Sequence, residues 1–255
     1  MTTLQWLVLA LVATVGHVMA GVWYLADQHQ AAICKKRIYA LDVKPTQWRR
    51  EFINSLFIPL HAVLLAIPAF VGFFAERSTL SFWLSLLVTF VWAEVWHYVS
   101  HRAMHRKSLL WIHREHHKSQ INTPLTALSF SFSEKIVFDV GLLLPLMLLD
   151  ALVGMNFYGI ATWFIGYLVI NSFSHANFEF RPPGFNRHVG QVITTTTYHA
   201  LHHSRYTGNY GLGTRVLDRW LGTEWPDYEA VYQQITAAEK PLGRLKQRVD
   251  SRASG

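Results

Sequence analysis

Apolar residues run in long blocks along this chain, and the polar positions between the blocks are rich in histidine. Residues 4–26 form one block that tolerates Gln5 and His17; residues 52–75 form a second, kinked at Pro59 and Pro68; residues 80–96 form a third, broken late by Glu94. Residues 136–170 make a longer stretch containing Asp139, Asp150 and Gly154, read as two helices that turn near 150–156. A bilayer span takes about 20 apolar residues. The pattern therefore predicts an all-α integral membrane protein with four to five membrane helices and a cytoplasmic helical cap. Block length alone leaves open whether the 136–170 hairpin crosses fully or re-enters. Residues 1–255 are expected to form a single membrane-embedded domain.

Composition agrees: 51% of residues are hydrophobic and 15% charged, against about 25% charged in a soluble domain. The first block has no basic residues ahead of it and is longer than a signal core, so it is expected to be a retained helix. Cys34 is the only cysteine, which excludes an intrachain disulfide and a thiolate metal site. The net charge of +7 is unevenly placed, because only Arg77 of the 23 Lys and Arg residues falls in the turn between the second and third blocks. The positive-inside rule then puts the N-terminus outside and the histidine clusters and C-terminus in the cytoplasm. Nothing resembles a nucleic-acid motif, so no nucleic-acid partner is expected. Leu109, Leu110 and Trp111 read as an interfacial anchor, the basic stretch 28–51 as a surface connection, 206–225 as a folded loop region, and the chain beyond Pro226 as a surface helix with a frayed end.

The chemistry concentrates in histidine. His-x-x-His-His occurs twice, as His113-Arg-Glu-His116-His117 and His199-Ala-Leu-His202-His203, and His101-Arg-Ala-Met-His105 precedes the first copy. Positions i, i+3 and i+4 share one helix face, so each triplet is expected to aim its rings at one spot. Neutral imidazole is the commonest protein ligand for first-row metals. Eight such rings exceed what one four-coordinate ion needs and suit two metals. Isolated His17, His29, His61 and His188 read instead as packing, interfacial or solvated residues.

The resemblance is to the fatty acid hydroxylase/sterol desaturase superfamily. Glu94-Val-Trp-His-Tyr98-Val-Ser-His101-Arg102-Ala-Met-His105 resembles its first box, Trp111-Ile-His113-Arg-Glu-His116-His117 its second, and Tyr198-His199-Ala-Leu-His202-His203 its third. Asn209-Tyr210-Gly211 and Asp218-Arg219-Trp-Leu-Gly222-Thr223 resemble its closing signature, so the likeness covers about residues 90–225. It implies a further ligand at a helix end between the second and third boxes; the candidates are His175 and, through water, Asn171. His97 stands where the family usually has an aromatic residue and is expected to pack or support. Glu94 replaces the family's Asp, either to orient an imidazole or to satisfy polar groups at the helix end.

The resemblance implies two iron ions as cofactor, zinc being possible in purified samples, with O2 as co-substrate. The implied reaction is hydroxylation of an unactivated C–H bond in a fatty-acyl or sterol-like membrane lipid. Desaturation at the same centre is the nearest rival, and a non-enzymatic metal-binding or transport protein a lower one. Catalytic residues beyond the metal centre are unknown. Electrons are expected from a separate donor protein (a ferredoxin, a cytochrome b5-like protein or a reductase). Arg102, Arg106, Lys107, Arg114 and Lys118 could steer that donor or grip a headgroup, but ordinary positive-inside bias accounts for them.

Overall fold

The computed structural model describes residues 1–29, 32 and 35–250; Cys34 lies outside the described residues. These form helices and loops joined by isolated β-bridges. In order they are α1 (Thr3–Gln28), α2 (Pro45–Ser55), α3 (Leu60–Phe70), α4 (Thr79–Met104), α5 (Leu110–His117), α6 (Phe132–Val153), α7 (Phe157–Ser174), α8 (Thr196–Arg205), α9 (Val216–Trp220) and α10 (Tyr228–Thr236). Among the described residues, five segments are long and apolar enough to cross a membrane: α1, α2–α3 taken together, α4, α6 and α7. The protein is thus an all-helical integral membrane protein.

Local signals explain the breaks. At Pro59 the chain does more than kink, because α2 stops at Ser55 and a turn through 56–59 restarts it as α3. Ser78, Ser131, Asn156 and Thr195 each accept a backbone N–H at the start of α4, α6, α7 and α8, satisfying donors that the first turn leaves orphaned. The hairpin turns at Gly154, whose φ of +70° favours glycine. Asp150 holds that turn, accepting from the Met155 N–H at 2.5 Å and from the Phe74 N–H at 3.0 Å. The α3–α4 and α6–α7 turns are therefore clasped together at one end of the bundle.

At that bundle's centre, α7 packs against α1 and α4, with α3 and α6 completing it. Val12, Leu65, Leu142, Phe164 and Leu168 form its core, while Leu84, Leu148 and Leu152 point outward and are exposed. Side chains apolar on every face are what a helix in lipid requires. A second core lies at the other end of the bundle, where Tyr228, Val231, Tyr232 and Ile235 of α10 meet Tyr198 and Leu201 of α8. The expected surface helix beyond Pro226 is thus half core, because its apolar positions recur at i, i+3, i+4 and i+7. Ile38 and Tyr39, within the expected surface stretch, are buried there too, with the Ile38 N–H donating to Asn177 O and the Leu242 N–H to Ile38 O.

Gly159 marks the closest approach of α7 to α4. A β-carbon there would strike the Phe82 carbonyl oxygen and come within 3.0 Å of Ser85 Cβ. Gly159→Leu is expected to cost about 1–3 kcal/mol through overpacking, measured as a lower Tm of the purified protein in detergent. An unchanged Tm would argue against this contact.

Candidate metal centre

Nine histidines converge at the end of the bundle opposite the Asp150 clasp. They form two groups, His101, His105, His113, His117 and His202 in one, and His116, His175, His199 and His203 in the other. Within each group the ligand atoms lie within 4.8 Å of one another. Either group could hold a metal ion. All the rings except the partly buried His105 are buried.

The expectation that each triplet aims at one spot is corrected by this division. His113 and His117, at i and i+4 on α5, join the group of five, while His116 at i+3 turns to the group of four. On α8 the assignment is reversed: His199 and His203 join the group of four and His202 crosses over. The reason is geometric. Successive residues on a helix are rotated by about 100°, so i and i+4 lie near one another while i+3 and i+4 diverge. Each triplet therefore contributes a pair to one group and a single ring to the other.

Hydrogen bonds fix which nitrogen faces inward. The Nδ1 of His101 lies 2.8 Å from Tyr210 O, that of His202 2.8 Å from Gly208 O, and that of His203 2.9 Å from Ser119 O. His116 Nδ1 meets Ser129 O at 3.1 Å and His175 Nδ1 meets Asn171 O at 2.8 Å. A carbonyl oxygen only accepts, so these Nδ1 atoms carry the proton and the lone pair sits on Nε2. The Nε2 of His175 is 2.9 Å from that of His199, 3.1 Å from that of His203 and 3.3 Å from that of His116. One nitrogen has one proton or one lone pair and cannot satisfy three neighbours. Four nitrogens about 2.1 Å from one ion are about 3.0 Å apart along an octahedral edge and about 3.4 Å along a tetrahedral one. In the larger group, His117 and His202 bring their Nε2 atoms to 3.0 Å, and those of His101, His105 and His113 are buried without a hydrogen-bond partner among the described residues. The donor set fits a cation in both places.

Burial pushes the imidazole pKa values down, and neighbouring rings push them further. His113, His116, His117, His199, His202 and His203 are held well below the usual 6.5. His175 is lowered to about 4 and His105 to about 2, again mainly by burial. Neutral rings are the form that ligates metal.

Other expected residues take more specific places. Asn171 lies one turn before His175; its amide donates to Ala127 O at 2.5 Å, and its buried Oδ1 has no partner among the described residues. His97 packs against His101 and Phe138. Glu94 accepts from the Thr214 N–H at 2.8 Å and the Thr214 hydroxyl at 2.7 Å, so its role is to hold a loop. It does so from within α4, which runs on to Met104. Trp111 is exposed, as an interfacial anchor would be, and Arg102, Arg106, Lys107, Arg114 and Lys118 are exposed nearby.

Glu134 is the residue that reading the boxes missed. It lies on the first turn of α6, buried, with one carboxylate oxygen on His113 Nδ1. A carboxylate behind a ligand ring fixes its tautomer and raises its basicity. A charged residue just ahead of an apolar span was the available signal. The closing signature also gains a meaning. Asp218 accepts the backbone N–H of Tyr210 at 2.9 Å and of Gly211 at 2.6 Å, pinning the carbonyl that orients His101.

A narrow chamber lies against the cage, lined by His101, His113, His116, His175, Asn171 and others. Through His97, Phe138, Tyr167 and Leu212 it shares walls with an apolar groove of about 510 Å³ between α4, α6 and α7.

A sequence profile of the fatty acid hydroxylase family matches residues 86–223. Protein CER1-like 2 of Arabidopsis thaliana is 27% identical over 240 residues, covering 88% of this chain and 37% of that protein. Very-long-chain aldehyde decarbonylase GL1-6 of Oryza sativa subsp. indica is 26% identical over 237 residues, covering 84% and 35%. Methylsterol monooxygenase erg25B of Aspergillus fumigatus is 30% identical over 142 residues, covering 55% and 47%. The chain thus spans little more than a third of the length of the two plant proteins. No solved structure matches it.

Two outcomes are expected of this site. Glu134→Ala should weaken metal binding by the group containing His113 about 10–100-fold, measured by chelator competition; unchanged affinity would remove Glu134 from the site. For the metal-free protein, the unfolded chain protonates its imidazoles near 6.5 while the folded one resists down to about 4 at His175 and about 2 at His105. Proton uptake then favours unfolding, so stability is full above pH 6.5 and falls steadily below it. A metal-free Tm that is flat or rising from pH 7 to pH 5 would contradict this.

Proposed function

The chain belongs to the fatty acid hydroxylase family, and from that premise we propose that it catalyses O2-dependent hydroxylation of an unactivated C–H bond in a membrane lipid at a histidine-held di-iron centre. The observation that carries this reading is the division of nine convergent imidazoles into adjoining groups of five and four. His101, His105, His113, His117 and His202 would hold one ion. His116, His175, His199 and His203 would hold the other, with Asn171 beside them. Bound iron supplies the O2-reducing power that no side chain has.

The protein's own part is to hold, orient and exclude. Backbone carbonyls and Glu134 keep the Nε2 lone pairs turned inward. The apolar groove gives a hydrocarbon chain a route from the bilayer, and Phe138 and Leu212 keep water from the chamber at its inner end. The names of the rice and Aspergillus relatives, a very-long-chain aldehyde decarbonylase and a methylsterol monooxygenase, support a lipid as the molecule oxidised. On this reading the histidine end and the C-terminus face the cytoplasm, where the basic residues lie, and a separate protein delivers electrons.

The test is oxidation of extracted membrane lipids by the iron-loaded chain with an electron supply and labelled O2. A gain of one labelled oxygen is expected; loss of two hydrogens would make the enzyme a desaturase, and no O2-dependent change would overturn the reading. His116→Ala and His202→Ala each remove a ring from a different group. Each is expected to lower iron from about two to about one per chain, and to cut turnover by more than the roughly 10–100-fold that losing a ligand's supporting partner costs. Wild-type iron and turnover in either variant would refute the site.

A further inference from the structure

The chamber beside the cage holds polar atoms that the metal groups do not use. His61 on α3 sets its Nδ1 2.7 and 2.8 Å from the two carboxylate oxygens of Asp139 on α6, and both residues are buried. The carboxylate accepts the Nδ1–H, which fixes the ring. His61 lines the chamber, and its Nε2 is buried with no hydrogen-bond partner among the described residues. Asp139 stands five residues beyond Glu134 on α6, about 7.5 Å further along the helix. The pair therefore lies on the bilayer side of the boxes. His97, whose Nε2 is also buried and unpartnered, stands where the chamber meets the apolar groove.

Ionisable residues inside a membrane span are costly and belong by default to a functional site. A bare hydrocarbon tail would leave these nitrogens unsatisfied. An oxygen atom would satisfy the His61 Nε2, either accepting from it when protonated or donating to its lone pair. We propose that His61, fixed by Asp139, is a binding residue for an oxygen on the substrate. The lipid would carry a hydroxyl or carbonyl beside its reacting carbon and enter with that end toward the imidazoles. Its tail would lie along the groove past Trp163, Phe90 and Gly166, where a missing side chain leaves open space. This rests on the lipid oxidation proposed above and narrows its substrate to oxygen-bearing chain ends.

The test measures equilibrium binding of radiolabelled hexadecanol, hexadecanal and hexadecane to the full chain in detergent, without turnover. Wild-type protein is expected to prefer hexadecanol over hexadecane about tenfold, the worth of one hydrogen bond. His61→Phe alone would leave a carboxylate unpaired in the membrane interior, so it is combined with Asp139→Leu, which removes both partners together. In that double variant the preference should fall to about one while hexadecane binding stays. Asp139→Asn keeps an acceptor for Nδ1 and should keep the preference; the ratio of the two probes is a readout that a merely structural role would not move. Hexadecanal only accepts hydrogen bonds, so its tight binding would assign Nε2 a proton, and tight binding of the alcohol alone would assign it a lone pair. Equal binding of hexadecanol and hexadecane by wild type would leave Nε2 to water and overturn the proposal, as would an undiminished preference in the double variant. Because no arm uses turnover, failure here leaves the oxidation reading standing. Failure of the labelled-O2 experiment, with the hexadecanol preference intact, would leave His61 as an oxygen-binding residue but remove its role in that reaction.

Discussion

The structure depends on imidazole rings whose protons are already committed. Once the Nδ1–H of His101, His116, His175, His202 and His203 is given to a carbonyl, the Nε2 lone pairs must face one another across a few ångströms. Burial prevents the rings from relieving that repulsion by protonation, since the same dry surroundings that crowd the lone pairs also penalise a positive charge. A cation bound between them would satisfy them. The candidate metal site is thus a consequence of where five carbonyl oxygens are held, as much as of where nine histidines fall in the chain.

Those carbonyls come mostly from irregular backbone, which has to be made rigid by other means. Buried carboxylates do this. Asp218 pins 210–211, and Glu179 accepts from the Thr197 N–H and hydroxyl at the start of α8. Glu51 takes the hydroxyls of Thr123 and Thr126, in the stretch ahead of Ser129. Each accepts several donors, which is how a buried carboxylate is satisfied. The interlocked triplets add a coupling. Neither group is complete unless α5 and α8 are both docked, so metal bound in either place would also fasten the helical end onto the spans, and binding energy would become folding energy.

Much of this was legible in the sequence because two signals were strong. Apolar blocks of span length located the membrane helices, and Asp150 with Gly154 located the hairpin turn. The histidine spacing identified eight of the rings that converge, and the family resemblance added His175 at the end of α7. The pattern could not show how the rings divide. Spacing on one helix says which residues share a face, whereas the division between the groups depends on where a second helix lies. Glu134 and the Ile38–Tyr39 segment were missed for a related reason: each acts through a partner distant in sequence, and a charge ahead of an apolar span does not by itself say which ring it meets. The aromatic face of α10 was present at helical spacing but was outweighed by the charged residues around it.

His61 and Asp139 show the same limit from the other direction. In a hydropathy reading, one histidine and one aspartate are tolerated interruptions in apolar blocks, and they stand 78 residues apart. Folding brings them into a single buried pair one wall away from the metal groups. Polarity then changes by steps along the path from lipid to cage: an apolar groove, a threshold at His97 and Tyr167, a chamber with His61 in its wall and Asp139 behind it, and finally the imidazoles. A uniformly apolar passage would hold a chain without distinguishing its ends. A graded one favours the orientation that places an oxygen-bearing end deepest, so the same intramembrane polar residues that the bilayer penalises can decide which carbon is presented for reaction.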